Sequence, residues 1–200
     1  MSIATTVALV SLDYAKKHLR IATANTSVDD TLGNAVNQAS KLICGICNRG
    51  FLLGDYTEYH DGHNTQTLYP NVFPINSGSA SVVLYISSDR EYTSDQLVDA
   101  DNIIVYPEDG KIELDGLYFY RGKRNVKITY NAGYSLSDMP DDVKLSVCRV
   151  VERIWKRSNG GLEGVQSQSM ADTSHTFDLN ADIMDAIRDN IAPYIRYCQG

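Results

Sequence analysis

Nowhere does the chain approach the roughly 20 consecutive apolar residues that a membrane-spanning helix needs, so no helical anchor is expected. Its first residues carry no basic group ahead of their short apolar run and no small-residue cleavage site, which argues against a signal peptide. Without such a leader, the four cysteines are expected to be reduced thiols. There is no P-loop, no dinucleotide glycine motif and no Gly-x-Ser-x-Gly elbow, which removes the commonest nucleotide-binding and hydrolase signatures. A long basic run is also missing, and with it the usual footprint of sequence-independent DNA gripping. Large apolar rings are scarce, with four Phe and one Trp, while Tyr reaches thirteen. Tyrosine combines a large apolar body with a hydroxyl that tolerates water, which suits half-buried strands and subunit contacts.

The net charge of −7 is unevenly distributed. Residues 1–50 carry five Lys/Arg against three Asp/Glu, residues 51–139 six against thirteen, and residues 140–200 seven against nine. The acidic excess therefore belongs to the middle of the chain. The densest basic cluster there, Arg121, Lys123 and Arg124, follows an alternating run and is expected at a hairpin tip, where it is a candidate assembly contact.

Periodicity divides the chain three ways. Ser11 is placed to cap a helix running to about Leu19, with Leu12, Ala15 and Leu19 on one face. Asp29 or Asp30 is placed to cap a longer helix whose apolar positions are Leu32, Ala35, Val36, Ala39, Leu42, Ile43 and Ile46. Asn48-Arg49-Gly50 ends it. From Phe51 the period changes to two. Short strands are expected at Tyr56–His60, Thr67–Tyr69, Ser81–Ser87, Ile103–Tyr106, Lys111–Leu114, Leu117–Tyr120 and Asn125–Tyr130. Helix returns after Pro140, with Val143, Val147, Val150, Val151, Ile154 and Trp155 as its apolar face, and again from about Ala181, where Pro193 should kink or restart it.

The fold class that follows is α+β. A small helical bundle is built from residues 1–50 and 138–200, with an antiparallel β sandwich or barrel-like domain, 51–137, inserted between its halves. Residues 158–177, with three glycines, four serines and two glutamines, are expected to form a flexible loop in the helical part. Leu162, Val165, Met170 and Phe177 are spaced along that segment as candidate contacts with a neighbouring subunit, becoming ordered on assembly.

Three constellations resemble reactive sites and fall short. Cys44-Gly-Ile-Cys47 ends a helix, whereas a redox pair exploits the dipole at a helix start, and no second ligand pair follows for zinc. His60-Asp61-Gly62-His63 is foremost a turn, expected at a solvated tip. Asp101, Glu108, Asp109, Glu113 and Asp115 lack the alternation and closing Glu of a helix–loop–helix calcium site. No catalytic, cofactor-binding or metal-ligating residue is therefore assigned, and no cofactor is expected.

Several segments in order carry a family likeness. Val10-Ser-Leu-Asp-Tyr-Ala-Lys-Lys-His-Leu-Arg20 resembles the opening helix of the head–tail connector (adaptor, or head completion) proteins of tailed bacteriophages, with its Leu-x-x-Ala-Lys-x-x-Leu-Arg pattern. The helix from Asp29-Asp30 to Cys47-Asn48-Arg49-Gly50-Phe51 is similar to their second helix and its exit. Tyr56-Thr-Glu-Tyr-His-Asp-Gly62 resembles the opening of their β insertion. Arg124-Asn-Val-Lys-Ile-Thr-Tyr-Asn-Ala-Gly-Tyr134 with Met139-Pro-Asp-Asp142 resembles the last strand and the start of the third helix. The likeness covers about residues 9–157. It implies a non-enzymatic ring subunit, twelvefold in form, that meets the portal on one side and a tail completion or terminator protein on the other. It also implies a DNA channel without specific binding, no membrane, and a place at the virion's head–tail junction after assembly in the host cytoplasm. The alternatives are a carbohydrate-binding or tail-associated module, favoured by tyrosines clustering in an exposed groove, and a small metal-dependent hydrolase built on His60, His63 and the acidic loop.

Overall fold

Ser11 opens the first helix. Its backbone is extended and its hydroxyl accepts the Tyr14 amide at 3.2 Å, capping α1 (Leu12–His18). Asp13 lies in the first turn of α1 and Lys16, Lys17 and His18 in its last, each complementing the helix dipole. The computed structural model from which these contacts come describes residues 7–76, 78, 81–159, 167–170, 173–176 and 187–196. The chain divides into two compact units, one comprising Met1–Arg49 with Asp138–Gly200 and the other Gly50–Ser137.

In the helical unit, α2 (Asp29–Cys47) buries Leu32, Ala35, Val36, Ala39, Ile43 and Cys47 at three- and four-residue spacing. Leu42, expected in this stripe, is 42% exposed because it flanks the line through Ala39, Ile43 and Cys47. Neither Asp29 nor Asp30 is the cap. Val28 holds that position without a side-chain bond, so the two acids act on the first turn through the dipole. Asn48 ends the helix in the left-handed conformation, its N–H reaching the Cys44 and Gly45 carbonyls. Helix α3 (Asp141–Asn159) packs on α2 with Val143, Val147, Cys148 and Val151 buried. Residues 187–191 are helical, with Ile187 and Ile191 buried. Pro193 falls inside the 3-10 turn Ala192–Tyr194 that restarts the chain. Lys16 is 2% exposed, and its ammonium meets the Asp29 carboxylate and the Thr23 carbonyl.

Among its described residues the second unit holds six strands in two antiparallel sheets. β1 (Gly54–Gly62), β3 (Val83–Ile86) and β6 (Gly122–Ala132) form one in the order β1-β6-β3. β2 (Thr67–Leu68), β4 (Ile103–Tyr106) and β5 (Lys111–Leu114) form the other in the order β2-β5-β4. Alternation aims one face of each sheet at a shared core. Leu84, Val126, Ile128 and Tyr130 enter it from the first sheet, and Leu68, Ile103, Ile112 and Leu114 from the second. This is a sandwich, so the α+β class holds.

The run from Lys111 to Tyr134 is not a hairpin. β5 and β6 belong to different sheets, because β5 pairs with β2 and β4 while β6 pairs with β1 and β3. Leu117–Tyr120 contributes only a bridge between Phe119 and Thr65, Phe119 being buried as a plug. Gly122, expected in a turn, pairs with Gly62 at the start of β6. A Cβ on Gly62 would lie 1.8 Å from the Tyr120 carbonyl oxygen, so the two segments approach this closely only with glycine there. His60-Asp61-Gly62 is therefore strand with a bulge, not a solvated tip. Within the segment expected to be loop, β7 (Ser167–Met170) pairs with β8 (Thr173–Thr176).

Candidate assembly surface

The outer face of the first sheet is built by register. Tyr59 on β1, Lys127 on β6 and Tyr85 on β3 stand directly opposite one another and form a row across all three strands. The next row is Thr57, Thr129 and Val83, with the two threonine hydroxyls 3.0 Å apart. Tyr92 joins from the loop after β3, its ring centroid 5.5 Å from that of Tyr59 and 6.5 Å from that of Tyr85. Two cations lie over these rings. The Lys127 ammonium is 5.3 Å from the Tyr85 centroid and 5.5 Å from that of Tyr92, and the Arg124 guanidinium is 5.0 Å from that of Tyr59.

Backbone strain concentrates at the same place. Among the described residues six non-glycine residues have positive φ; Tyr92 and Arg124 belong to this patch, with φ of 53° and 49°, and Arg90, with φ of 68°, stands in the loop beside it. Each such residue costs about 1–3 kcal/mol unless its surroundings hold it, and this kind of strain clusters at functional positions. Here the surroundings are visible. Asp89 accepts from the Ser87 hydroxyl at 2.7 Å, the Gln96 amide at 2.9 Å and the Glu91 N–H at 3.0 Å. These bonds, led by the one from Gln96, hold its carboxyl down to about 2. Arg90 Nε donates to the Lys123 carbonyl at 3.1 Å and the Tyr92 hydroxyl to the Arg124 carbonyl, tying the loop to β6. Asp61 accepts the Arg124 N–H at 2.7 Å.

The basic cluster read from sequence is thus split. Arg124 serves the tyrosine face, whereas Arg121 and Lys123 line a neighbouring hollow of about 700 Å³ together with Arg90, Asp95 and Asp99. Sequence reasoning missed Arg90, Tyr92 and Lys127, because strand register and loop geometry bring them together over long sequence separations. The alternation Tyr85 and Lys127, each flanked by apolar neighbours, was the one available signal. Leu162, Val165 and Phe177 lie outside the described residues. Met170 ends β7, and its backbone alone is described.

The three constellations that resemble reactive sites are engaged otherwise. Burial pushes the thiols of Cys47 and Cys148 up to about 11, and raises that of Cys44 against the opposing charge of Arg49. His60 points inward and meets Glu58 at 2.8 Å. Burial by itself would raise the Glu58 carboxyl, but hydrogen bonds from His60, from Tyr130 at 2.6 Å and from the Asn71 amide lower it overall. Among the described residues no group of three or more His, Cys, Asp or Glu is placed to hold a metal ion, and no helix is long and apolar enough to cross a membrane.

Helices from both ends of the chain and an inserted sandwich with a polar aromatic outer face make up the two units. The chain belongs to the head completion protein family, whose model matches residues 8–194. Solved structures share the fold. A chain from the neck of an empty GTA particle, computed with C6 symmetry, is 15% identical with a TM-score of 0.63, covering 100% of this chain and 96% of that one. A chain from the neck of a native GTA particle, computed with C12 symmetry, is 14% identical with a TM-score of 0.61 and the same coverage. A third, from the virion of the native gene transfer agent, is 15% identical with a TM-score of 0.59. No curated protein matches the sequence.

Proposed function

We propose that the chain is a structural head–tail connector subunit that forms a ring between portal and tail and continues the DNA channel. The observation that carries this is the family match across residues 8–194, which spans both units. Support comes from the fold shared with neck proteins solved under sixfold and twelvefold symmetry. The charge agrees, since an acidic β unit gives phosphate little to hold and lets DNA slide. The ring is read as twelvefold, docked on the portal on one side and on a tail completion protein on the other, at the junction of head and tail.

Particles produced with and without an intact gene for this chain test the assignment. Loss of the chain should leave heads that lack tails, and the wild-type chain should be found as a ring at the neck by electron microscopy. Tailed particles forming normally in its absence would overturn the assignment.

A further inference from the structure

Hydrogen-bond parity in the two sheets shows which strand edges of the β unit stay open. In an antiparallel ladder a residue turns its N–H and C=O toward one neighbouring strand, and the next residue turns its own the other way. The Ser87 N–H donates to the Asn125 carbonyl, so Asn125, Lys127 and Thr129 bond β3 while Val126, Ile128 and Tyr130 bond β1. On β1 their partners are His60, Glu58 and Tyr56, which leaves Asp55, Thr57 and Tyr59 facing out. In the second sheet the Leu114 N–H donates to the Gln66 carbonyl, and the Asp115 N–H to the Asn102 carbonyl. Ile104 and Tyr106 therefore face β5, and Ile103 and Val105 face out. Among the described residues no group bonds the outward N–H and C=O of Asp55, Thr57, Tyr59 or Val105. The edge of β3 differs, since the Val98 N–H closes on the Leu84 carbonyl at 2.8 Å. An open edge is a template for another strand, and residues 55–59 carry no Pro, Lys or bulge to block one. Beside β4 a hollow of about 340 Å³, lined by Ile103, Ile104, Val105, Ile75 and Asn76, leaves room for it.

The two open edges lie on opposite flanks of the sandwich. On one flank the Ile75 N–H donates to the Pro107 carbonyl just past β4, and the Asn76 N–H to the Asn131 carbonyl, which faces the β3 side as Thr129 does. β3 and β4 therefore share that flank. On the other, the Asn71 amides, shortly after β2, meet Glu58 on β1. Direction follows from the same bonds. β4 runs toward Pro107 and so toward Ile75, which bridges Ala132 at the end of β6; β4 thus runs with β6 and against β1. A second copy set beside the first in the same orientation would bring its β4 antiparallel to the first copy's β1. Such a contact is heterologous, and it closes into a ring when successive rotations complete a turn. In that ring one contact per subunit covers both open edges of every copy. We infer that the β1 edge of each subunit pairs with the β4 edge of the next, joining the first sheet of one copy to the second sheet of its neighbour. The inference rests on the ring proposed above and names the strands that make it.

Cross-linking in particles tests this. Thr57→Cys with Val105→Cys in one chain puts a thiol on each edge. A thiol cross-linker with a reach of about 10 Å, roughly two strand spacings, allows for a slip of one pair in register. Treated particles should give a series of covalent multimers, and each single variant should give none, which also accounts for the native cysteines. A second arm needs no cross-linker. Thr57→Pro and Val105→Pro each remove an outward N–H and leave the bonds within their own sheet in place, as proline on an edge strand does. Each, shown to be folded by its thermal melt, should enter particles about tenfold less than wild type, whereas Thr57→Val, which keeps the N–H, should enter normally. A ring at the neck that yields no multimers overturns the pairing, and so do folded proline variants that enter like wild type. Dimers from Thr57→Cys alone overturn it too, since two β1 edges then meet each other in a closed pair. If wild-type chain is itself absent from the neck, the connector assignment fails, and the two failures are thereby told apart.

Discussion

Both units of this chain bury charge, and they settle it by different means. In the helical unit Lys16 is 2% exposed and meets a charge of opposite sign, the Asp29 carboxylate at the first turn of α2. In the β unit Glu58, its side chain 12% exposed, sits among hydrogen-bond donors: the Tyr130 hydroxyl, the Asn71 amides and the His60 ring. An ion pair concentrates its value in two side chains and is lost if either goes. A network shares it among several neighbours, and here it links β1 and β6 to the residues just before Val72, whose N–H in turn reaches the Tyr130 hydroxyl at 3.2 Å. Lys16 and Asp29 lie 13 positions apart, as do Glu58 and Asn71, but the network also reaches Tyr130, 72 positions from Glu58.

The largest expected effect breaks the ion pair. Asp29→Ala leaves the Lys16 ammonium buried without its counter-charge and should cost about 3–5 kcal/mol in a urea melt. Replacing both residues together, Lys16→Met with Asp29→Leu, should recover most of that loss. A single variant as stable as wild type would show that water already reaches Lys16.

Glu58→Ala comes next, at about 2–3 kcal/mol, because it removes the carboxylate that accepts from the Tyr130 hydroxyl and the Asn71 N–H. The network also gives a pH signature. Since the folded carboxyl lies below its unfolded value, the stability it adds is fully present above the unfolded value and is lost as pH falls through the folded one. Acid titration of the wild type should show this loss and Glu58→Gln should lack it. Identical acid profiles would remove the network from the account.

Ser11→Ala removes the cap of α1 and should cost about 1 kcal/mol, with no effect on the β unit's amide signals. The smallest effect is local. Asp89 is held to about 2, so its bonds to the loop are intact above its ordinary value near 4 and weaken as pH falls toward about 2. Amide shifts of Arg90 and Glu91 should move over that window, and Asp89→Asn should flatten the response. Shifts that stay constant in the wild type would detach Asp89 from the order of the loop.

Much of the helical unit was legible because its code is local. The stripe Leu32, Ala35, Val36, Ala39 and Ile43 and the αL residue Asn48 are set by neighbours within two turns. Ile103–Tyr106 was legible too, as four apolar residues bounded by turn chemistry. The pairing of the sheets was not. Thr57 meets Thr129 across 72 positions of sequence, while the glycine at 122 advertises a turn it does not make. Local signals at Gly122–Lys123 therefore gave a hairpin where the chain changes sheet. Lys16 was hidden for a related reason, since a lysine beside Lys17 looks solvated until Thr23 and Asp29 fold back over it.

Arg90, Tyr92 and Arg124 have a consequence for anyone breeding this protein for robustness. Glycine or asparagine would relieve the backbone at each, so a library screened for heat resistance in the isolated subunit should accumulate those two residues there. Such winners would have discarded the Tyr92 ring and the Arg124 guanidinium at the tyrosine row, and the Arg90 side chain that ties the loop to β6. A screen scored on finished particles should keep the three residues and draw its improvements from elsewhere, so the two selections would part company at these codons first.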